Sequence, residues 1–304
     1  MLPELQPGQV RVRHTAIGFN MIDTYRRTGL YPIPLPFVPG SEAAGVVEQA
    51  TEGVEQLKVG DRVVYAVPEV GAYTEQRVID ASKLIKIPAD ISDETAAAGF
   101  LKGLTVWALL HKTYAVQPGD TILVYAAAGG VGTMMGQWAQ HLSARVIGVV
   151  GSEDKVTVAR QHGCDEVIIH GKTDIAASVR QLTAGKGVDV VYDSMGAATF
   201  TASLDCLKPL GMMVSFGNAT GPVPPVDILD LMRRGSLFLT RPTLFNHIAN
   251  RDQLEQGADA LFDVIRSGAV RIMINQRFEL KDAVQAHIAV ESKQTTGATV
   301  LMNI

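Results

Sequence analysis

Five short apolar runs that alternate with helical segments constrain the fold of this 304-residue chain more than any other feature. Continuous apolar runs of this kind are typical of strands that are covered on both faces in a parallel sheet. The runs are TILVYA (121–126), RVIGVV (145–150), EVII (166–169), VDVVYD (188–193) and MMVSFG (212–217). Because strands and helices alternate at this spacing, the sequence predicts a doubly wound α/β domain.

The segment between the first two runs has the apolar spacing of a single helix face. Its apolar residues recur at i, i+3, i+4, i+7, i+8 and i+11. They are Val131, Met134, Met135, Trp138, Ala139 and Leu142. We interpret the methionines and the tryptophan of this stripe as core residues, not as cofactor contacts.

The turn between the first run and this helix has the pattern of a dinucleotide-binding turn. Read back from Gly132, the pattern G-x-G-x-x-G becomes Ala127-x-Gly129-x-x-Gly132, with alanine in the first position. Gly129 would let the backbone approach a pyrophosphate, and Gly132 would let the helix pack closely on the sheet. The helix N-terminus adds N–H donors and a partial positive charge. The sequence therefore predicts dinucleotide binding, and an unliganded glycine-rich turn is the alternative.

The end of the second strand indicates which dinucleotide to expect. NAD-specific sites place an acidic residue there, about 20 residues on, to bind the ribose 2′-hydroxyl. Here the strand ends in Gly151, followed by Ser152 and, three residues later, Lys155. A small residue, a hydroxyl and an ammonium suit a 2′-phosphate, which favours NADP(H). Glu153 and Asp154 fit either a ribose-binding acid or, as we prefer, acids that complement the helix dipole.

The first hundred residues follow a different pattern. Gln9–Arg13 alternates polar and apolar residues as a half-buried strand does. Further short strand candidates lie between glycines and prolines, namely EAAGVVEQA (42–50), GDRVVYA (60–66) and GAYTEQRVI (71–79). They predict an antiparallel barrel or sandwich. An amphipathic helix at 252–266 precedes a strand-like tail, MINQRFEL (273–280) and GATVLMNI (297–304), which we expect to complete this β unit.

Charge and cysteine content exclude several classes of protein. A net charge of −4 and a pI near 6.0 argue against a nucleic-acid-binding protein, which normally presents a basic face. Cys164 and Cys206 are too few for a disulfide framework or a cysteine zinc site, and are expected to be free thiols in a reducing compartment. No apolar run approaches the roughly 18 residues of a membrane span. A cytoplasmic protein without a membrane segment is the expectation.

Eight motifs in order make the chain resemble a known family. They are AIGFNMIDTYRRTGLYP (16–32), PGSEAAGVV (39–47), VGDRVVYA (59–66), FLKGLTVWALL (100–110), AAAGGVG (126–132), YDSMG (192–196), MVSFGN (213–218) and LTRPTL (239–244). Together they closely resemble the zinc-free quinone oxidoreductases, which belong to the medium-chain dehydrogenase/reductase superfamily and include zeta-crystallin. The similarity runs over essentially the whole chain.

The resemblance implies a GroES-like, β-rich catalytic domain that is split around an inserted Rossmann domain. The expected division is 1–101 for the first part of the catalytic domain, 102–242 for the NADP-binding domain and 243–304 for the return to the catalytic domain. Relatives usually carry a further β-hairpin before the strand that starts near Gln9. Without that hairpin we expect an open sheet edge and exposed core within the first hundred residues.

The same resemblance places a site without metal in the β-rich domain. Zinc-dependent relatives carry cysteine and histidine where this chain has Asn20 and Ser41, and its seven histidines show no ligand spacing, so no metal is expected. Asn20 and Tyr31 would lie beside the nicotinamide and the hydride acceptor, with Asp23 nearby. Packing of the proline-rich loop is the alternative role for Tyr31. Thr105, at the start of a predicted helix, would approach the nicotinamide end.

Further cofactor contacts are implied position by position. The resemblance assigns Gly130 and Val131 to the pyrophosphate, Ser194 to the ribose, Phe216, Gly217 and Asn218 to the end of the fifth strand, Arg241 to the nicotinamide side, Lys293 to the 2′-phosphate and His170 to the adenine.

The implied function is transfer of hydride from NADPH to a quinone without metal or flavin, in a homodimer that joins through the apolar strand SLFLT (236–240). The alternative is an NADPH-dependent reductase of activated C=C bonds in enones, alkenals or enoyl thioesters, because either acceptor develops an enolate-like oxyanion. A secondary RNA-binding or structural role is a third possibility, for which the sequence offers no basic–aromatic run.

Overall fold

The structure is a computed structural model that describes residues 3–303. Its strands are β1 (Gln9–Gly18), β2 (Glu42–Ala50), β3 (Arg62–Ala66), β4 (Gln76–Asp80), β5 (Ile85–Lys86), β6 (Thr121–Tyr125), β7 (Arg145–Val150), β8 (Glu166–Ile169), β9 (Val188–Asp193), β10 (Leu207–Ser215), β11 (Phe238–Thr240), β12 (Ile274–Glu279) and β13 (Ala298–Met302). Its α-helices are α1 (Met21–Arg27), α2 (Asp93–Trp107), α3 (Gly130–His141), α4 (Asp154–Gln161), α5 (Ile175–Leu182), α6 (Phe200–Cys206), α7 (Ile228–Arg233), α8 (Leu244–His247), α9 (Arg251–Arg266) and α10 (Ala283–Glu291). None of the helices within 3–303 combines the length and apolar character that a bilayer span requires.

The chain divides into two compact units. The first comprises the residues up to Leu104 with two later segments, Ile248–Gly268 and the tail from Ile272 onward. The second comprises Thr105–His247 with Ala269–Arg271.

The second unit is built on a six-stranded parallel sheet in the order β11-β10-β9-β6-β7-β8. The direction of strand addition reverses between β6 and β9, which makes their carboxyl ends the topological switch point where doubly wound folds bind ligands. Strands β7, β8 and β9 cover the predicted apolar runs residue for residue. The predicted doubly wound α/β class is therefore confirmed.

Helix α3 follows β6 as the apolar spacing predicts. Met134, Met135, Trp138 and Ala139 are buried, and the two ends of the stripe, Val131 and Leu142, are half-buried. The stripe consists of packing residues, since the burial of apolar side chains against a sheet is what keeps a helix of this length in place.

The first unit contains a seven-stranded sheet in the order β12-β13-β1-β2-β3-β5, with β4 also paired to β1. Strand β1 is long enough to have three partners. It pairs with β2 along one side, and on the other side its first half pairs with β4 and its last three residues with β13. The tail strands β12 and β13 pair in parallel within this same sheet.

Among the described residues β4 and β5 each pair on one side only, with β1 and β3 respectively, whereas β1 lies inside the sheet. Because both sides of β1 carry hydrogen-bonded partners, this strand is not an edge, and Val10 and Val12 have no exposed surface. The proline-rich stretch 31–40 forms neither helix nor strand. Both cysteines are free and buried.

The predicted start of a helix at Thr105 is wrong. Helix α2 begins at Asp93, where the Ser92 hydroxyl accepts a hydrogen bond of 3.1 Å from the Thr95 N–H, as a helix N-cap does. Helix α2 continues through Gly103. Glycine suits this position because a β-carbon there would lie 2.4 Å from the Leu261 side chain. Thr105 therefore lies in the last turn of α2.

Candidate active site

A cluster of buried polar side chains lies in the first unit where β1 ends and β2 begins. Asn20 is the N-cap residue of α1, Asp23 lies in the first turn of that helix, and Glu42 opens β2. Asp23 and Glu42 have no exposed surface, and Asn20 and Lys102 of α2 are each 6% exposed. Charged residues are almost never buried this completely unless they are paired, so the contacts within the cluster decide what it can do.

The amide of Asn20 is committed within the protein. Its Nδ2 donates to Glu42 Oε2 over 2.7 Å and to the carbonyl oxygen of Gly18 over 3.3 Å. A side-chain amide has two N–H donors, and both are used in these contacts. Asn20 therefore has no side-chain N–H left for a ligand. Its amide oxygen can only accept a hydrogen bond, and the capping box of α1 directs this side chain toward the Asp23 backbone N–H.

Glu42 is held by three donors. Its Oε1 accepts the N–H of Leu101 at 2.5 Å, and its Oε2 lies 2.7 Å from the Asn20 amide and 3.7 Å from the Lys102 ammonium. Lys102 also donates to the Phe19 carbonyl over 2.9 Å. Burial raises the pKa of Glu42, and the Lys102 charge is the largest influence that opposes this rise. Sequence analysis missed both residues, although each is a charge inside an otherwise apolar motif.

Asp23 is less well satisfied. Its Oδ2 accepts the Asn20 backbone N–H at 3.0 Å and the Tyr73 hydroxyl at 3.3 Å, whereas its buried Oδ1 has no hydrogen-bond partner among the described residues. Burial raises the pKa of Asp23 to about 6, against the opposing effects of the Asn20 hydrogen bond and the Arg26 charge. A buried carboxyl with a raised pKa is a frequent property of active sites.

The two tyrosines of the first motif lie together. The Tyr25 and Tyr31 rings meet edge to face with centroids 5.4 Å apart, and the Tyr31 N–H donates to the Tyr25 carbonyl over 3.0 Å. Tyr25 is 9% exposed and Tyr31 is half-buried. This contact gives Tyr31 a packing role in the loop after α1, and its accessible part leaves room for a ligand contact.

The phosphate turn of the second unit is shaped by its glycines and alanines. Ala126 adopts the left-handed backbone conformation in this turn, with φ of 51°. The Gly129 N–H donates a hydrogen bond of 2.8 Å to the Ala126 carbonyl. A β-carbon on Gly132 would lie 2.3 Å from the Ala126 oxygen, so only glycine lets α3 approach β6 this closely. Helix α3 begins at Gly130 without a side-chain cap. Its first-turn N–H groups are thus suited to a pyrophosphate.

The alanine at the first fingerprint position has a compensating neighbour. Ala127 is fully buried, and a β-carbon built on Gly148 of β7 would lie 2.9 Å from the Ala127 β-carbon. The methyl group of Ala127 therefore uses space that Gly148 leaves open in the adjacent strand.

The end of β7 carries the residues predicted to select the coenzyme. Gly151 is exposed, and a β-carbon there would meet no atom within 4 Å. The Ser152 hydroxyl bonds the Asp154 carboxylate and holds the pKa of that carboxyl below its ordinary value. Glu153 contacts Lys172, a residue that sequence analysis did not single out, with Nζ and Oε2 2.5 Å apart. Lys155 is half-buried in the first turn of α4.

The ends of β9 and β10 lie side by side. The Phe216 N–H donates to the Asp193 carbonyl over 2.8 Å, and a β-carbon on Gly217 would be 2.2 Å from the Ser194 oxygen. Asp193 is buried and orders the loop that carries Ser194, because its carboxylate accepts hydrogen bonds from two backbone N–H groups and two hydroxyls. Sequence analysis missed this role of Asp193.

The remaining predicted contacts lie at several places in the two units. Arg241 follows β11, and its Nη1 donates to the Ser215 carbonyl at the end of β10 over 2.9 Å. Asn218 is half-buried beyond that strand end. His170 is exposed just after β8, and its N–H donates to the Val150 carbonyl over 2.8 Å. Lys293 belongs to the first unit, where it is exposed after α10 with φ of 60°.

Comparison with known proteins assigns the chain to a family. An alcohol dehydrogenase GroES-like domain model matches residues 6–89, and a zinc-binding dehydrogenase model matches residues 130–269. The quinone oxidoreductase of Pseudomonas aeruginosa is 50% identical over 97% of this chain and 91% of that protein. The chain belongs to the quinone oxidoreductase family. This places it in the medium-chain dehydrogenase/reductase superfamily.

Two further relatives of this family bear on chemistry. The crystal structure of Escherichia coli quinone oxidoreductase complexed with NADPH superposes with a TM-score of 0.97 at 45% identity, covering 100% of this chain and 94% of that one. A 2-haloacrylate reductase of Burkholderia sp is 47% identical over 97% of this chain and 91% of that protein.

The zinc named in the second family model does not suit the residues of this site. The Arg26 guanidinium donates to Ser41 Oγ over 2.5 Å, and the Asn20 amide is bonded to Glu42 beside the Lys102 ammonium. Ser41 and Asn20, at the two positions where zinc-dependent relatives carry ligands, are thus weak ligands next to a cation. Zinc instead requires thiolate, imidazole or free carboxylate donors. Among residues 3–303, no three His, Cys, Asp or Glu side chains are grouped as a metal site.

Replacement of Asp23 by asparagine should reveal the cost of this buried carboxyl. The pKa of Asp23 is about 6 in the folded protein, against its ordinary value of 3.8, which applies to the unfolded chain. The folded state therefore binds the Asp23 proton more tightly than the unfolded state does. Its contribution to stability is therefore complete below pH 4 and is lost as the pH rises through 6. We expect the stability of Asp23→Asn relative to the parent protein to rise by about 2.5 kcal/mol between pH 4 and pH 8.

Urea unfolding at both pH values measures this change. Asp80→Asn is the matched control, because Asp80 is exposed and its pKa is lowered by the Ser82 hydrogen bond. The control should become less stable relative to the parent as the pH rises. A pH-independent difference for Asp23→Asn would contradict the assignment.

Proposed function

We propose that this chain is an NADPH-dependent quinone reductase that transfers hydride without metal or flavin. The observation that carries the proposal is the whole-chain match to the NADPH complex of a quinone oxidoreductase, with 45% identity and a TM-score of 0.97. The phosphate turn after β6 supports the proposal independently. It lies at the switch point of the sheet, and Gly132 lets α3 approach β6 closely there.

NADPH, when bound, supplies the hydride. The first-turn N–H groups of Gly130 and Val131 would hold the pyrophosphate, and Gly217 lets the end of β10 pack against the Ser194 backbone at the end of β9. Protein groups then orient the acceptor and exclude water, since the cofactor carries the hard chemistry. Asn20 would accept a hydrogen bond through its amide oxygen, and Asp23, Tyr31 and Thr105 are the other side chains proposed to act in the reaction.

A quinone panel tests the proposal. Purified protein is mixed with benzoquinones and naphthoquinones in the presence of NADPH or NADH, and coenzyme oxidation is followed at its absorbance band. We expect NADPH oxidation with at least one quinone and a preference for NADPH over NADH. An absence of NADPH oxidation with every quinone would overturn the proposal.

Reduction of activated C=C bonds is the second candidate, favoured by the 47% identity to a 2-haloacrylate reductase. Hydride addition to either acceptor builds an enolate-like oxyanion, so one site suits both. The same assay run with haloacrylates, enones and alkenals distinguishes the two. A larger kcat/KM for these alkenes than for the quinones would replace the first candidate by the second.

Replacement of Lys155 by alanine should weaken NADPH binding much more than NADH binding. Loss of one charge-assisted hydrogen bond to the 2′-phosphate costs about 1–2 kcal/mol, or about a tenfold rise in the NADPH dissociation constant. Fluorescence titration with each coenzyme measures the difference. Equal losses for both coenzymes would show that Lys155 does not bind the 2′-phosphate.

A homodimer is proposed through β11, the edge strand of the second sheet. Phe238 and Leu239 on this strand are 55% and 36% exposed, and Ile228, Leu229 and Met232 of α7 expose further apolar surface. An uncovered apolar edge strand pairs readily with a second copy. We expect Phe238→Lys to be monomeric in sedimentation equilibrium, while Val284→Lys, at a similarly exposed apolar residue of α10, stays dimeric. A monomeric parent protein would exclude this dimer.

A cytoplasmic location is proposed from the two buried free thiols, which suit a reducing compartment. Fractionation of the source cells, with the protein followed by antibody, tests it. Recovery in an extracytoplasmic fraction would exclude it.

A further inference from the structure

The ends of β7 and β8 bring an acid and a base together at the predicted ribose end of the coenzyme site. The two strands are parallel neighbours, with Val150 opposite Ile169, so the residues that follow them leave the sheet side by side. Glu153 follows β7 as the N-cap residue of α4, and Lys172 lies in the turn after β8. Their Oε2 and Nζ atoms are 2.5 Å apart.

Glu153 lies two residues beyond Gly151, the position at the end of β7 where an NAD-specific enzyme carries the acid that binds the ribose 2′-hydroxyl. Asp154 is already bonded to the Ser152 hydroxyl at the start of α4. Glu153 is instead bonded across the strand ends by a lysine. The pair is exposed, at 72% for the Glu153 side chain and 60% for Lys172, so it adds little to folding stability. The Glu153–Lys172 pair matters because it changes the charge next to a bound coenzyme.

We propose that Lys172 sets the coenzyme preference of this chain by holding the Glu153 carboxylate, so that this acid neither binds a free 2′-hydroxyl nor repels a 2′-phosphate. The inference rests on the proposed NADPH-dependent function and names the residue that compensates an acid near the expected 2′-phosphate position. A 2′-phosphate carries a charge between −1 and −2, and an unpaired carboxylate a few ångströms away would oppose it by an amount worth about tenfold in affinity at low ionic strength. Lys155 stays the residue proposed for the direct phosphate contact.

A double-mutant cycle on coenzyme affinity tests the proposal. NADPH and NADH dissociation constants are measured by fluorescence titration at low ionic strength for the parent protein, Lys172→Gln, Glu153→Gln and the double variant. We expect Lys172→Gln to lower the NADPH preference about fivefold to tenfold. In the Glu153→Gln background the same lysine substitution should change the preference less, because only the attraction of the ammonium itself for the phosphate is then lost.

A matched control is available in the same sheet. Lys208 and Asp189 form an ion pair near the amino ends of β9 and β10, away from the strand ends that bind ligands. Lys208→Gln should leave the coenzyme preference unchanged, and a change as large as that of Lys172→Gln would show a general charge effect and overturn the proposal.

Two other results would also overturn it. An unchanged preference in Lys172→Gln would show that the pair does not act on the coenzyme. An equal loss of preference with and without Glu153 would show that Lys172 binds the phosphate directly. Failure of the proposed function is distinct from both, because the parent protein would then show no NADPH preference at all.

Discussion

Alanine in place of Gly132 should destroy the coenzyme site and destabilise the second unit. A β-carbon at this position would lie 2.3 Å from the Ala126 oxygen and 2.7 Å from the Ala127 Cα. Both are backbone atoms at the end of β6, so no side chain can turn aside and α3 must move away from the sheet. Overpacking of this kind costs about 3 kcal/mol or more. We expect the NADPH affinity to fall by more than about 100-fold, because the first-turn N–H groups move with the helix.

Thermal unfolding and NADPH titration measure the two effects. Gly151→Ala is the matched control for stability, because a β-carbon there meets nothing within 4 Å. It should unfold at the temperature of the parent protein. A Gly132→Ala variant that keeps the parent's unfolding temperature and NADPH affinity would show that the close approach of α3 to β6 is not required.

The second unit could be predicted closely because its signals are local. Strands buried on both faces appear as unbroken apolar runs, and each run ends at a turn residue. For this reason Arg145–Val150, Glu166–Ile169 and Val188–Asp193 match their runs without error. The phosphate turn was found for the same reason, since its glycines are adjacent in sequence. The conformation of Ala126 could not be predicted, because left-handed alanine has no sequence signature.

The first unit depends on contacts that a sequence does not display. Strand β1 has three partner strands, and the one that closes its last residues is β13, nearly three hundred residues away. The edges of the sheet within the first hundred residues are β4 and β5, each with one partner strand in the described part of the chain. The predicted helix start at Thr105 was wrong, since α2 begins at Asp93 and continues through Gly103, where the Leu261 side chain leaves no room for a β-carbon.

The polar cluster shows the same limit at the candidate site. The resemblance pointed to Asn20 and Asp23, but the groups that decide the chemistry of Asn20 are Glu42 and Lys102. These lie 22 and 82 residues further along the chain, and each occurs once in an apolar motif. Only the three-dimensional structure shows that one neutralises the other and that the amide N–H groups of Asn20 are already in use.

Methionine in place of Lys102 should destabilise the first unit by about 3–5 kcal/mol, since it leaves the Glu42 carboxylate buried without its cation. The loss should shrink as the pH is lowered. The pKa of Glu42 is already raised by burial and would rise further without Lys102, so Glu42 takes up a proton and the uncompensated charge disappears. Urea unfolding of the variant across the acidic to neutral range measures both the loss and its pH dependence.

A second substitution distinguishes lost charge compensation from lost packing. Adding Glu42→Gln to Lys102→Met removes the orphaned charge, and the double variant should be more stable than Lys102→Met alone at neutral pH. The double variant should still be less stable than the parent protein, because the Phe19 carbonyl also loses its hydrogen-bond donor. Lys281→Met, which breaks the exposed pair with Glu279, should leave the unfolding free energy nearly unchanged. If the double variant is no more stable than Lys102→Met, the ammonium acts through packing and its bond to Phe19, and the buried ion pair does not hold Asn20 in place.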